Sequence, residues 1–283
     1  MKIALDTKDL IDLERQNSLR DQFCTVLTEG RHELVLSFAN ISEIASPPRP
    51  GSLWTPRTHI PPHSFLQYLE DLPRTFIQNP IRYELRQAAD DFGGAREYQA
   101  INPFKERFDQ ILAKSPATDD FVGLMLPEIV HRLGERNGRA VIDPYREYLP
   151  YFSQMIESDR KVAQPNRRQH FRQVIRKDLQ SFGLETTKAD EFADWIHADS
   201  QRCPSKHLSY GIHWSLVKNR DENLKGNLIA DIIHAHATPY VDFITLDRTM
   251  RGHVIRSSQT LKEKVCKNLE DVLAKIQSSG PST

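Results

Sequence analysis

A chain of 283 residues with 38 Lys plus Arg against 38 Asp plus Glu carries no formal net charge. That balance excludes a protein held to nucleic acid or to an anionic membrane by its overall field, so any affinity for polyanions must come from a local patch. The length favours two modules over one, and Cys24, Cys203 and Cys266 lie too far apart for a disulfide framework or a CxxC zinc site.

The first residues, MKIALD, meet charge at once and lack the apolar stretch of a signal peptide. No apolar run approaches the roughly 20 residues that span a bilayer. A soluble, cytoplasmic protein with no membrane attachment is the expectation. Lys2 to Leu5 is a short apolar run ending at Asp6, and Glu33 to Phe38 is a longer one ending before Asn40. Runs apolar on both faces suit a parallel sheet covered by helices. Between them Leu10, Leu13, Leu19, Phe23 and Leu27 recur at helical spacing, which gives a strand, helix, strand unit.

Residues 46–62 carry six prolines in seventeen positions and read as an irregular exit from the sheet. Helical periodicity follows at 63–91, 103–114, 119–136, 143–158, 166–182 and 187–200, with no convincing strand among them. Residues 47–210 are therefore expected to form a helical insertion or cap module. A helical stretch from Asn227 to Ala237 leads to a third strand, Val241 to Leu246, and HVIR at 253–256 is a candidate fourth. Residues 257–283 read as an amphipathic helix with a frayed tail. The expected fold class is thus α/β: a three-layer α/β/α core with a mainly parallel sheet, built from 1–46 and 211–256 and interrupted by the helical module.

Ligands of such sheets bind at the carboxyl ends of the strands. Asp6, Glu43 and Asp247 follow the three strands, and Asp231 lies in the helix before the last. Carboxylates brought together repel one another unless a cation neutralises them, and Mg²⁺ or Mn²⁺ suits an oxygen donor set. Such an ion can activate water and clamp a phosphodiester, so phosphodiester hydrolysis is the reaction to expect.

The segment GNLIADIIHAHATPYVDFITLDRTM, Gly226 to Met250, resembles the C-terminal motif of PIN-like nucleases, in which an acid-bearing helix leads to a strand ending in Thr-x-Asp. The strand ending in Asp6 and the SEIA around Glu43 match the family's N-terminal part in kind. The resemblance implies a PIN-like core in which Asp6, Glu43, Asp231 and Asp247 are the catalytic, metal-binding acids, with Asp242 as a fifth metal ligand and Thr245 shaping the last turn. It leaves the third acidic position open between Asn227 and Asp231. It also implies a metal-dependent endonuclease acting on RNA in preference to DNA. Protein partners and a homo-oligomer stay open.

Competing readings exist for each residue. Asp6 suits the N-cap of a helix starting near Lys8, Glu43 a solvated first-turn acid, and Asp247 a turn former. Arg168, Arg172 and Arg176 fall on one helical stripe that could hold phosphates, yet a solvated charged face explains the same spacing. His234 shares a helix face with Asp231 and is a candidate substrate contact. Trp54, Trp195 and Trp214 read as packing residues. Two alternatives to the nuclease are a catalytically inactive PIN-like scaffold that binds nucleic acid or a protein, and a phosphohydrolase using His234, His236 and acids on a transition metal.

Overall fold

The structure, a computed structural model, describes residues 1–37, 40, 72–77, 80–92, 104–105, 143–162, 166–181, 183, 188–222, 224 and 228–278. Its strands are β1 (Lys2–Ala4), β2 (Glu33–Ser37), β3 (Arg74–Ile77), β4 (Phe104–Lys105), β5 (Phe243–Thr245) and β6 (Val265–Cys266). They form one sheet in the order β4-β3-β2-β1-β5-β6. The pairs from β3 through β6 are parallel, and β4 adds antiparallel to β3 at the edge.

Helices cover both faces, and the alternation of side chains along the strands decides which face each residue serves. Ile3, Leu5, Leu34 and Leu36 point to one side. There they pack on α1 (Thr7–Arg15), α2 (Asn17–Glu29) and α10 (Leu269–Ser278), through Leu10, Leu13, Phe23, Leu27 and Val272. Ala4, Val35 and Ile244 point to the other side. They meet α4 (Asp143–Arg160), α7 (Pro204–Lys218), α8 (Leu228–Ala235) and α9 (Arg248–Ser257), through Ile156, Ile212, Ile229 and Val254. Buried positions repeat at three or four residues in α1, α2 and α10, as a single buried stripe requires, whereas α7 is buried nearly all round from Ile212 to Val217. Truncating a residue such as Phe23 to Ala costs about 3–5 kcal/mol in a core of this kind.

A third cluster joins α3 (Pro80–Asp91), α5 (Arg167–Ser181) and α6 (Ala189–His197), where Ile81 and Leu85 meet Phe171, Ile175, Phe192 and Ile196. These helices come from the segment 47–210, of which another helix, α4, packs on the sheet instead. The same segment also supplies β3 and β4, so the sheet does not close at residue 46. RTFI falls inside the stretch 63–91 expected to be helical, of which, among the described residues, only Pro80–Asp91 is helix; a strand of four residues is too short for its pattern to show beside that helical spacing. Likewise 257–283 is not an appendage, because β6 extends the sheet and α10 completes one of its faces.

HVIR is helical rather than a strand. It lies in α9, whose Met250, His253 and Val254 are buried at i, i+3 and i+4. Of the other predicted helices, 119–136 lies outside the described residues, as does 103–114 apart from β4. Among the described residues, no helix is long and apolar enough to cross a membrane.

Candidate functional site

From β1 the chain builds outward through β2 and β3 on one side and later adds β5 and β6 on the other. The order reverses between β1 and β5, and a reversal of this kind opens a crevice at the carboxyl edge. The register pairs Ala4 with Ile244. Continued by two residues, it sets Asp6 across from Leu246 and one residue from Asp247, on strands spaced about 4.8 Å apart.

Both acids are helix N-caps. Asp6 Oδ1 accepts the Lys8 N–H at 3.4 Å, and Asp247 Oδ1 accepts the Met250 N–H at 2.6 Å. The competing reading of each as a local former is therefore correct, and it is compatible with a site, since a cap fixes where a carboxylate stands. The positive ends of α1 and α9 meet at this edge, which favours anionic groups there.

Thr245 ties the two strands together. Its Oγ1 accepts the Asp6 backbone N–H at 2.7 Å. Its hydroxyl also hydrogen-bonds Asp9, an acid that strand-end reasoning passes over because it sits inside α1. Burial raises the Asp9 carboxyl to about 6 and the nearby Asp6 charge adds to the rise, while the bonds from Thr245 and the Leu269 N–H oppose it.

His234 is buried against the same strand end, with Nε2 3.3 Å from the Thr245 carbonyl. Burial lowers its pKa and the Asp6 charge partly restores it. Asp231, half-buried, lies one helical turn earlier on the same face of α8. Asn40, also absent from the predicted set, crosslinks the carboxyl ends of β1 and β2. Its Nδ2 donates to the Leu5 carbonyl at 3.0 Å, and its Oδ1 accepts the Ser37 N–H at 3.0 Å.

Other expected members are not brought here. Asp242 starts β5 rather than ending it, so it stands at the opposite edge, where its carboxylate accepts the Lys2 N–H at 2.6 Å. Glu43 and Asn227 lie outside the described residues. The arginine stripe is engaged on α6: Arg168 and Arg172 both donate to Asp194, at 2.6 and 2.8 Å, and Arg176 pairs with Asp190. The bonds from Arg172 and then Arg168 hold the Asp194 carboxyl well below the usual range. Trp214 is buried and Trp195 carries the Arg202 guanidinium on its ring face, so both serve packing.

A second group lies on the other side of α8. Ile229, Ile232, Ile233 and His236 line a cavity of about 770 Å³ between α4, α5, α7 and α8, while Asp231 and His234 point away from it toward the sheet edge. The pair His234 and His236 therefore does not converge on one ion. Inside the cavity Asp159 of α4 receives two imidazoles, His213 of α7 at 2.7 Å and His170 of α5 at 3.3 Å. Burial lowers the pKa of both rings, against the pull of Asp159. Among the described residues this is the one group of three His, Cys, Asp or Glu side chains whose ligand atoms all lie within 4.8 Å of one another. Asp6, Asp231 and Asp247 stand further apart than that. No spacing in the sequence marks the three, which come from three separate helices and were not among the candidates. No family model, curated protein or solved structure matches the chain.

Proposed function

We propose that the chain is a metal-dependent nuclease of PIN-like type, acting at the carboxyl edge of the sheet. One observation carries the reading: Asp6 and Asp247 flank the single reversal of strand order, each held in place by a helix N-terminus. The donor type suits a hard divalent cation: Asp6 and Asp247 are carboxylates that follow neighbouring strands and Asp231 is one on α8, and the three have to draw together around the ion to bind it. Mg²⁺ or Mn²⁺ held by Asp6, Asp247 and Asp231, with Glu43 completing the set, would supply an activated water for in-line attack on a phosphodiester.

The chain's own residues do the positioning. Thr245 anchors the Asp6 backbone, Asp9 steadies Thr245 from behind, and His234 braces the end of β5. RNA is the preferred substrate on the strength of the resemblance to PIN-like proteins, most of which cut RNA.

The test is cleavage of single-stranded RNA and DNA by purified protein in Mg²⁺, Mn²⁺ or EDTA. Cleavage that needs the metal and disappears in Asp6→Asn and Asp247→Asn supports the reading. Cleavage that survives in EDTA or in the double variant overturns it, and RNA binding with no cleavage in any metal replaces the enzyme with an inactive scaffold.

A further inference from the structure

The cavity on the far side of α8 carries a chemistry of its own, independent of the sheet edge. We propose that Asp159, His170 and His213 form a second metal centre, an N₂O triad for a divalent transition ion of the zinc class, with its remaining coordination position open to the cavity.

The donor set comes first. Two imidazoles and one carboxylate match three-ligand zinc sites and the two-His, one-carboxylate triads of other transition ions, whereas Mg²⁺ prefers oxygen alone. Geometry agrees. Zinc bonds of about 2.0–2.1 Å place tetrahedral ligands about 3.3 Å from one another. His170 Nε2 stands 3.3 Å from Asp159 Oδ2, and His213 Nε2 stands 2.7 Å from the same oxygen. The His213 contact has to open by roughly half an ångström, and the three ligand atoms all lie within 4.8 Å of one another.

Position is the second argument. The rings of His170 and His213 stack at 5.2 Å, so their nitrogens face the same acid from α5 and α7. Trp214 packs edge-on against both rings and limits their rotation. A triad held by three packed helices is rigid, as a metal site requires. Two cations line the cavity, but Lys206 is paired with Asp178 and Lys177 reaches the Tyr151 hydroxyl at 3.4 Å.

The third argument is a set of polar atoms without partners. His170 Nδ1 and His236 Nε2 are both buried with no hydrogen-bond partner among the described residues. His236 is 7% exposed and lines the same cavity. Buried polar atoms of this kind ask for a ligand or an ordered water. His236 Nε2 thus offers a polar contact to what occupies the cavity.

The experiment uses the untagged 283-residue chain, stripped with chelator and dialysed against Zn²⁺ or Co²⁺. One tight equivalent is expected in the parent chain and in Asp6→Asn, so that failure here is distinguishable from failure of the nuclease reading. His170→Gln, His213→Gln and Asp159→Asn should each weaken binding by about tenfold or more. The Co²⁺ form should show visible ligand-field bands that the variants lose. If His213→Gln fails to fold by circular dichroism, His170→Gln, on a half-buried ring, carries the comparison. Equal binding by the parent and the His170→Gln/His213→Gln double variant overturns the proposal, as does the absence of a tight equivalent in the parent.

Discussion

The two candidate sites are built in opposite ways on either side of one helix. At the sheet edge the acids are placed by backbone: Asp6 and Asp247 cap helices and follow neighbouring strands, so main-chain hydrogen bonds decide where they stand. In the cavity Asp159 and its two histidines are placed by the packing of α4, α5 and α7, and side chains meet side chains. Backbone placement suits carboxylates that must wait near one another for a hard cation. Packing suits imidazoles, whose ring orientation has to be fixed from the sides.

The comparison breaks most sharply in Asp6→Asn. Cleavage should fall by roughly a hundredfold or more, in line with losses of 10–100-fold for groups that only support a metal ligand. Zn²⁺ binding in the cavity should not change. Kinetics on RNA and metal stoichiometry on the same preparation read both effects, and a parallel loss of Zn²⁺ would mean that the two sites are one.

Glu84 separates the regions by pH. This buried carboxylate on α3 accepts the Ser205 and Lys206 N–H groups at 2.7 and 3.0 Å and the Tyr240 hydroxyl at 2.6 Å, so it caps the helix that carries His213. Burial raises its pKa from 4.5 to about 7 despite those bonds. A raised folded-state pKa means that the folded chain binds the proton more tightly than the unfolded one. The contribution is complete below about pH 4.5 and is lost as the pH rises through 7, a change of about 3 kcal/mol. Urea midpoints at pH 5 and pH 8 should differ by less in Glu84→Gln than in the parent. An unchanged difference would remove Glu84 as the cause.

Thr245→Val tests the backbone placement directly. It removes the acceptor for the Asp6 N–H and the donor to Asp9, and should cost about 1–3 kcal/mol in denaturant midpoint. Thr245→Ser should restore most of it. The smallest effect is expected for Arg168→Ala. An exposed, solvent-screened ion pair contributes little, so the denaturant midpoint should barely move and RNA cleavage should be unaffected. A clear loss of RNA binding there would return the arginine stripe to the substrate path.

What could be read from the residues follows from the same contrast. The strands that carry Asp6 and Asp247 are apolar runs interrupted by charge, a pattern that periodicity finds, and the helical character of 143–200 emerges from its repeats. The strand β3 does not, because four residues just before α3 carry too little pattern to stand apart from its helical spacing. Asp9 has the local signature of an ordinary first-turn acid, and only the fold shows that Thr245 and Leu269 close over it. Asp159, His170 and His213 are unrelated in spacing and become a group only when three helices pack.

The bond between Asp6 and Thr245 spans 239 positions of chain. While the protein is being synthesised, β1 has no β5 beside it until residue 245 has left the ribosome. At about 5–20 residues per second, roughly 10–50 s of synthesis separate β1 from the strand that completes this edge. Through that interval the edge of β1 that will meet β5 stands unpaired, the condition in which a strand edge is most open to non-native pairing.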